Sequence, residues 1–124
     1  EIGMTGGNDP DCRRMMRFDD WNNREEALFE KVAALNHLRR GNMALVYGDY
    51  MQLHVGEQTF AYARKYFDTN VVVCINNSTE EQTFELDVEA LNASGYKALF
   101  GKEYKLEGNK LTITLPALTS EVLY

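Results

Sequence analysis

The hydrophobic period of the chain changes once, near residue 41. Between residues 25 and 40, apolar side chains fall at Leu28, Phe29, Val32, Leu35 and Leu38, spacings that line one face of an α-helix. The flanks agree with a helix. Asn23 is placed to cap its first turn, with Glu26 three residues on as in a capping box. Arg39 and Arg40 suit the negative end of the dipole, and Gly41 offers a stop. From residue 42 the period becomes two. Phe84, Leu86 and Val88 alternate with Thr83, Glu85 and Asp87, and Leu111, Ile113 and Leu115 alternate with Thr112 and Thr114. Residues 71–75 run apolar without a break, as in a strand covered on both faces. Further strands are expected at residues 51–55, 60–67, 96–100, 105–106 and 121–124. Turn signals separate them at Gly56-Glu57, Asn76-Asn77-Ser78, Ser94-Gly95, Gly101-Lys102 and Gly108-Asn109. Short strands with turns at this spacing predict a mainly β protein, an antiparallel β-sandwich preceded by one helix.

Residues 1–24 carry neither period. The stretch Thr5-Gly6-Gly7-Asn8-Asp9-Pro10-Asp11 is built of turn formers, each with its own backbone preference. It reads as a long loop, and long loops in compact domains are often functional. The division therefore falls near Gly41, with residues 1–40 before it and residues 41–124 forming an all-β domain. No internal repeat or low-complexity tract interrupts either part.

Composition narrows the classes. The chain has 124 residues, 44% of them hydrophobic, which is one domain's worth of globular rather than disordered sequence. The net charge of −6 comes mostly from residues 41–124, which hold eleven acids and six bases. Lysines are interspersed with glutamates there, so the clustered cations that nucleic acid demands are missing. No apolar run approaches a membrane span. The opening, Glu1-Ile2-Gly3-Met4, has no basic stretch before an apolar one, so no signal peptide is read. The missing initiator Met predicts a piece cut from something longer, and the compartment is not set by what is visible. Cys12 and Cys74 form no CxxC pair, which disfavours a zinc or redox site. Cys74 reads as a buried inert thiol, and a disulfide between the two is disfavoured.

Several residues invite sharper readings. Asp9 and Asp11 suggest a calcium loop, but calcium takes six to eight oxygens, and Arg13 and Arg14 neutralise the pair. No resident metal or cofactor is expected. Asp19, Asp20, Glu25 and Glu26 suggest an acid/base pair, yet negative charge at a helix start is the simpler account. His37 and His54 lack metal-ligand spacing, and no serine sits in a nucleophile elbow. Tyr62, Tyr66 or Tyr104 offers a sugar-stacking platform, against an ordinary sandwich core and rim. Asn76 to Thr79 hold overlapping glycosylation sequons.

In order along the chain, Glu1-Ile2-Gly3-Met4 and Asn8-Asp9-Pro10-Asp11-Cys12-Arg13-Arg14 resemble the end of the eighth barrel strand and the following loop in the alpha-amylase family of glycoside hydrolases. The Asp-Pro-Asp-Cys-Arg-Arg form is most similar to the neopullulanase and cyclomaltodextrinase group. Leu38-Arg39-Arg40-Gly41-Asn42-Met43-Ala44-Leu45, then Tyr47-Gly48-Asp49, resembles the last barrel helix and the entry to the C-terminal domain. Phe60-Ala61-Tyr62-Ala63-Arg64, residues 71–77 and Leu115-Pro116-Ala117-Leu118-Thr119-Ser120 resemble that domain's strands and closing segment. Met15 stands where the family often has proline and Phe18 where it often has tryptophan.

The resemblance implies a parent with a (β/α)₈ barrel, a retaining enzyme that cleaves α-glucosidic bonds in maltodextrins, starch or cyclodextrins. Such chemistry uses two carboxylates about 5–5.5 Å apart, drawn from the C-terminal ends of different strands. The family takes its three acids from strands four, five and seven, all upstream of Glu1. This chain is thus expected to hold no catalytic residue and to be inactive alone, capping and stabilising the barrel. Asp9 and Arg13 correspond to residues that contact sugar hydroxyls at the outer donor subsites, against the plainer reading of an ion pair within the loop. The implied partners are the rest of the barrel and, through the parent, an α-glucan; calcium stays open for the parent alone. The apolar stripe of residues 25–40 has lost its barrel wall. It should fold back, pair in a homodimer, or bind the missing N-terminal part. The alternative function is a carbohydrate-binding sandwich for α-glucans.

Overall fold

The computed structural model describes all of residues 1–124. Two compact units divide the chain, Glu1–Gly41 and Asn42–Tyr124.

The first unit is a loop and then helix α1, Asn23–Gly41. The cap lies one residue earlier than the sequence suggested. Asn22 Oδ1 accepts the N–H groups of Arg24 and Glu25 at 2.9 and 3.1 Å, and Glu25 Oε2 accepts the Asn22 N–H at 2.9 Å. The reciprocal box is Asn22 with Glu25, not Asn23 with Glu26, because Asn22 is the last residue still free of helical geometry. Nor does Gly41 end the helix by a left-handed turn; it is the last helical residue. Asn42, extended at φ −118° and ψ 114°, breaks the run and caps a second, shorter helix. Of residues 1–41, Ile2 alone is buried.

The second unit opens with that shorter helix, which the period-two pattern concealed. Helix α2, Met43–Tyr47, is capped by Asn42 Oδ1, which accepts Ala44 N–H at 3.0 Å and Leu45 N–H at 3.4 Å. Five residues are too few to show a helical period. Gly48 ends it where a Cβ would lie 2.4 Å from the Ala44 carbonyl and 2.8 Å from that of Lys65. Only glycine lets the chain pass there.

Two antiparallel sheets make up the rest. The first joins β1 (Asp49–Val55), β2 (Thr59–Tyr66), β3 (Thr69–Asn76) and β7 (Thr119–Leu123), in that order. The second joins β4 (Gln82–Asp87), β6 (Lys110–Leu115) and β5 (Tyr104–Glu107), in that order. A short 3₁₀ turn, Glu89–Leu91, comes after β4. The strand expected at residues 96–100 is instead a single bridge, Ala98 opposite Leu123, flanked by Lys97 and Tyr124 exchanging both backbone hydrogen bonds. Phe67, expected inside a strand, sits in the β2–β3 turn with φ +50°.

Alternation places the core. Ala61, Ala63, Val72, Cys74 and Leu123 from the first sheet meet Phe84, Leu86, Leu111, Ile113 and Leu115 from the second, with Val88 and Leu91 closing the cluster. Register puts Phe84 opposite Ile113 and Leu86 opposite Leu111, so their side chains share one face of the pleat. Each such aliphatic side chain taken from water contributes about 1.5–3 kcal/mol before entropy is charged. Val71 to Cys74 are buried as the unbroken apolar run implied, although Ile75 is 37% exposed. No helix here is long and apolar enough to cross a membrane.

Candidate functional site

The loop of residues 6–14 folds upon itself. Asp11 N–H reaches the Asn8 carbonyl at 2.8 Å and Arg13 N–H the Pro10 carbonyl at 2.9 Å. The Asp11 carboxylate accepts Gly7 N–H at 2.6 Å and Arg14 Nη2 at 2.9 and 3.0 Å. The Gly7 amide first, and the Arg14 guanidinium second, hold the Asp11 carboxyl below the usual carboxylate range. At Gly6 a Cβ would press on Cys12 Cα at 3.0 Å, which is why this fold-back needs glycine.

Asp9 and Arg13 meet each other. Arg13 Nε lies 3.1 Å from Asp9 Oδ1, with the two side chains 80% and 72% exposed. An ion pair so open to water contributes little to stability, so both groups can exchange partners with an incoming hydroxyl at small cost. Cys12 is exposed and free, its thiol 3.8 Å from Asp9 Oδ1. Further on, Arg17 bridges Glu25 at 2.8 Å and donates to the Asp20 carbonyl, while Trp21 packs on Phe29 with centroids 4.9 Å apart. Of the acids in residues 19–26, Glu25 and Glu26 lie in the first turn of α1, where Glu25 belongs to the cap, and Asp19 and Asp20 precede the helix.

The sandwich gathers carboxylates in one open cleft lined by Glu85, Asp87, Glu89 and Glu107 with Asn109 and Lys110. Lys110 pairs with Glu85 at 2.9 Å and Lys105 with Glu107 at 2.8 Å, and those glutamates are 63% and 66% exposed. Asp87 Oδ1 accepts the Glu89 N–H. A glycosidic acid is kept protonated by a dry pocket, whereas the paired glutamates of this cleft stand open to solvent. No group of three or more His, Cys, Asp or Glu stands where a metal ion could be held. His37 is exposed, and His54 Nε2 bonds Thr59 Oγ1 at 2.9 Å.

The three tyrosines singled out in the sequence lie in three different clusters. Tyr62 sits between Tyr50 and Phe60, at 5.6 and 5.8 Å; Tyr66 contacts Tyr47 and Phe67, at 5.9 and 4.8 Å; Tyr104 meets Tyr96 at 6.0 Å. They build no common platform. Of the sequon residues, Asn76 is buried and Asn77 exposed.

Two polar residues that the hydrophobic pattern did not single out are central to the sandwich. Asn76 donates to the carbonyls of Glu80, Leu115 and Pro116 at 2.8, 3.1 and 2.9 Å and accepts from Ser78 N–H and Oγ. Glu121, fully buried, accepts the N–H groups of Phe100, Lys102 and Val122, each at 2.8 Å. A signal was present for Glu121: it shares strand parity with Leu123, so both point inward.

Known proteins are similar to this chain in sequence and in fold. The alpha-amylase C-terminal domain family matches residues 48–123. A cyclomaltodextrinase of Geobacillus thermopakistaniensis is 34% identical over 118 residues, covering 94% of this chain and 20% of its own. Neopullulanase 2 of Thermoactinomyces vulgaris is 33% identical over 127 residues, covering 100% of this chain and 22% of its own. The crystal structure of a debranching enzyme from Nostoc punctiforme superposes with a TM-score of 0.82 at 30% identity, over 98% of this chain and 26% of that one. The chain therefore spans about a fifth of the length of these curated relatives. Matched along its entire sandwich, the chain belongs to the alpha-amylase C-terminal domain family.

Proposed function

We propose that the chain is the C-terminal portion of an alpha-amylase-type glycosidase that hydrolyses α-glucosidic bonds in maltodextrins, starch or cyclodextrins with retention. In this reading residues 1–40 complete the catalytic barrel, and residues 41–124 cap and stabilise it. The chain supplies no catalytic carboxylate. The observation that carries the reading is the state of the first unit. Helix α1 is 19 residues long and buries none of them, while Leu28, Phe29 and Leu35 are 40%, 42% and 41% exposed. A unit of 41 residues with so little core is marginal by itself. It is the shape of one piece of a larger wall, and the relatives act on cyclomaltodextrins and pullulan by name.

The test is direct. The purified chain, incubated with maltodextrin or β-cyclodextrin, should release no reducing sugar; turnover that tracks the chain through purification overturns the reading. Within that same reading, Asp9 and Arg13 exchange their mutual ion pair for sugar hydroxyls at an outer donor subsite. In the complete enzyme, Asp9→Ala and Arg13→Ala should each lower kcat/KM for maltotriose about tenfold. Unchanged kinetics in both variants would leave the pair as a loop brace.

A further inference from the structure

The loop carries two aspartates and two arginines, Asp9, Asp11, Arg13 and Arg14, and the fold sorts them into unlike pairs. Arg14 Nη2 reaches both oxygens of the Asp11 carboxylate, at 2.9 and 3.0 Å. Arg14 Nε donates to the Asp11 carbonyl at 3.2 Å. One guanidinium thus grips the side chain and the main chain of residue 11 together. Asp11 Oδ2 accepts the Gly7 N–H as well, at 2.6 Å. The other pair is looser. Arg13 Nε gives Asp9 Oδ1 a single hydrogen bond of 3.1 Å. Asp11 and Arg14 are about half exposed, whereas Asp9 and Arg13 stand mostly in water.

The Asp11 contacts fall on both sides of the open pair. Gly7 comes before Asp9, and Arg14 comes after Arg13. The carboxylate therefore ties the incoming arm of the loop to the outgoing arm, with Asp9 and Arg13 carried between them. Two backbone turns, Asp11 N–H to the Asn8 carbonyl and Arg13 N–H to the Pro10 carbonyl, restrict the same stretch. Hydrogen bonds to a charged group are the stronger kind. A pair this exposed still adds little to the stability of the whole molecule, so its loss acts on the order of the loop and leaves the fold intact. A loop ordered before its ligand arrives lowers the entropy cost of binding. Sorting has a second effect. With Arg14 engaged by Asp11, Asp9 keeps Arg13 as its cation, and the two stay side by side at the surface.

We propose that Asp11 is a positioning residue: with Arg14 and the Gly7 amide it closes the loop that presents Asp9 and Arg13 to the sugar. This role rests on the sugar contact proposed above for Asp9 and Arg13. The test is steady-state kinetics on maltotriose in the complete enzyme. Asp11→Ala should keep the wild-type Tm and raise KM about fivefold with kcat unchanged, the signature of binding lost away from the reacting bond. Arg14→Ala spares the Gly7 hydrogen bond and should raise KM less, about twofold. Asp11→Asn keeps an acceptor for the Gly7 amide and should recover part of the loss. When Asp9 and Arg13 are both already alanine, Asp11→Ala should add nothing, because it acts through them. A loss that persists in full in that background overturns the positioning role, as does a fall in kcat at unchanged KM. Wild-type kinetics for Asp11→Ala, beside impaired Asp9→Ala and Arg13→Ala, overturns it too and leaves the sugar contact standing. If Asp9→Ala and Arg13→Ala are themselves silent, the sugar contact is what fails, and the role of Asp11 falls with it.

Discussion

Glu121 of β7 stands directly opposite Cys74 of β3 in the sheet register. Both side chains point into the sandwich and both are fully buried. Burial first, and the Glu121 charge second, push the Cys74 thiol up to about 12.

One consequence is chemical silence at Cys74. A thiol reacts as its thiolate, so at pH 8 a thiol reagent should label Cys12 alone in the folded chain. Cys74 should label only on unfolding, and mass spectrometry of the tryptic peptides distinguishes the two. The stability effect has a definite sign. Between an unfolded value near 9 and the folded value near 12, only the unfolded chain loses this proton. Cys74 therefore draws stability down as pH rises across that window and has no such effect below it.

The Glu121 carboxylate also substitutes for a missing stretch of ladder. Segment 97–102 approaches β7, but only Ala98 forms a bridge, and the amides of Phe100 and Lys102 are taken up by the carboxylate instead. Glu121→Ala strands those donors and should cost about 3 kcal/mol or more in urea unfolding. Glu121→Gln keeps the shape but puts an N–H where an acceptor is needed. It should fall between the wild type and the alanine variant. Equal stability of all three proteins would exclude the clamp.

Asn22 should matter more to α1 than Asn23. Asn22→Ala removes the acceptor for two amides and should cost about 1 kcal/mol of helix stability, read as lost ellipticity at 222 nm. Asn23→Ala should cost little. The partner Glu25 is held below its usual value, chiefly by the Asn22 N–H. A lowered carboxyl contributes stability at pH values above its unfolded value near 4.5 and loses it as pH falls through the folded value. Helicity should therefore drop on acidification below 4.5, and Glu25→Gln should remove most of that dependence.

Leu118 occupies left-handed backbone, φ +54°, and is 68% exposed. The strain of that region for a residue with a Cβ is about 1–2 kcal/mol, and little burial offsets it. Leu118→Asn, which tolerates the conformation, should raise Tm by roughly 4–8 °C per kcal/mol recovered. A fall in Tm would mean that the leucine packs more than its exposure suggests.

The alternation in residues 83–88 and 111–115 identified two paired strands because each keeps one face in the core and one in water. Residues 96–100 carried a similar local signal and became one bridge. There Lys97 and Leu99 do donate to the carbonyls of Tyr124 and Val122, but the Tyr96 N–H goes to the Tyr104 hydroxyl and the Phe100 N–H to the Glu121 carboxylate, so the ladder does not extend. Helix α2 was invisible because five residues complete barely more than one turn. For the loop, the family resemblance implied sugar contact by Asp9 and Arg13, and the plainer reading was an ion pair between them; the structure has the ion pair.

Local periodicity and short ordered motifs were enough to specify the helix, the sandwich and the family resemblance. Three-dimensional packing was needed to make Glu121 and Asn76 buried knots, and to bring Tyr96, Tyr104 and Tyr124 to one cleft. Glu121 reaches amides 19 and 21 positions away, Asn76 reaches carbonyls 39 and 40 positions away, and the three tyrosines lie 8 to 28 positions apart. A linear pattern records which face of a strand a residue takes. It does not record which other strand that face will meet.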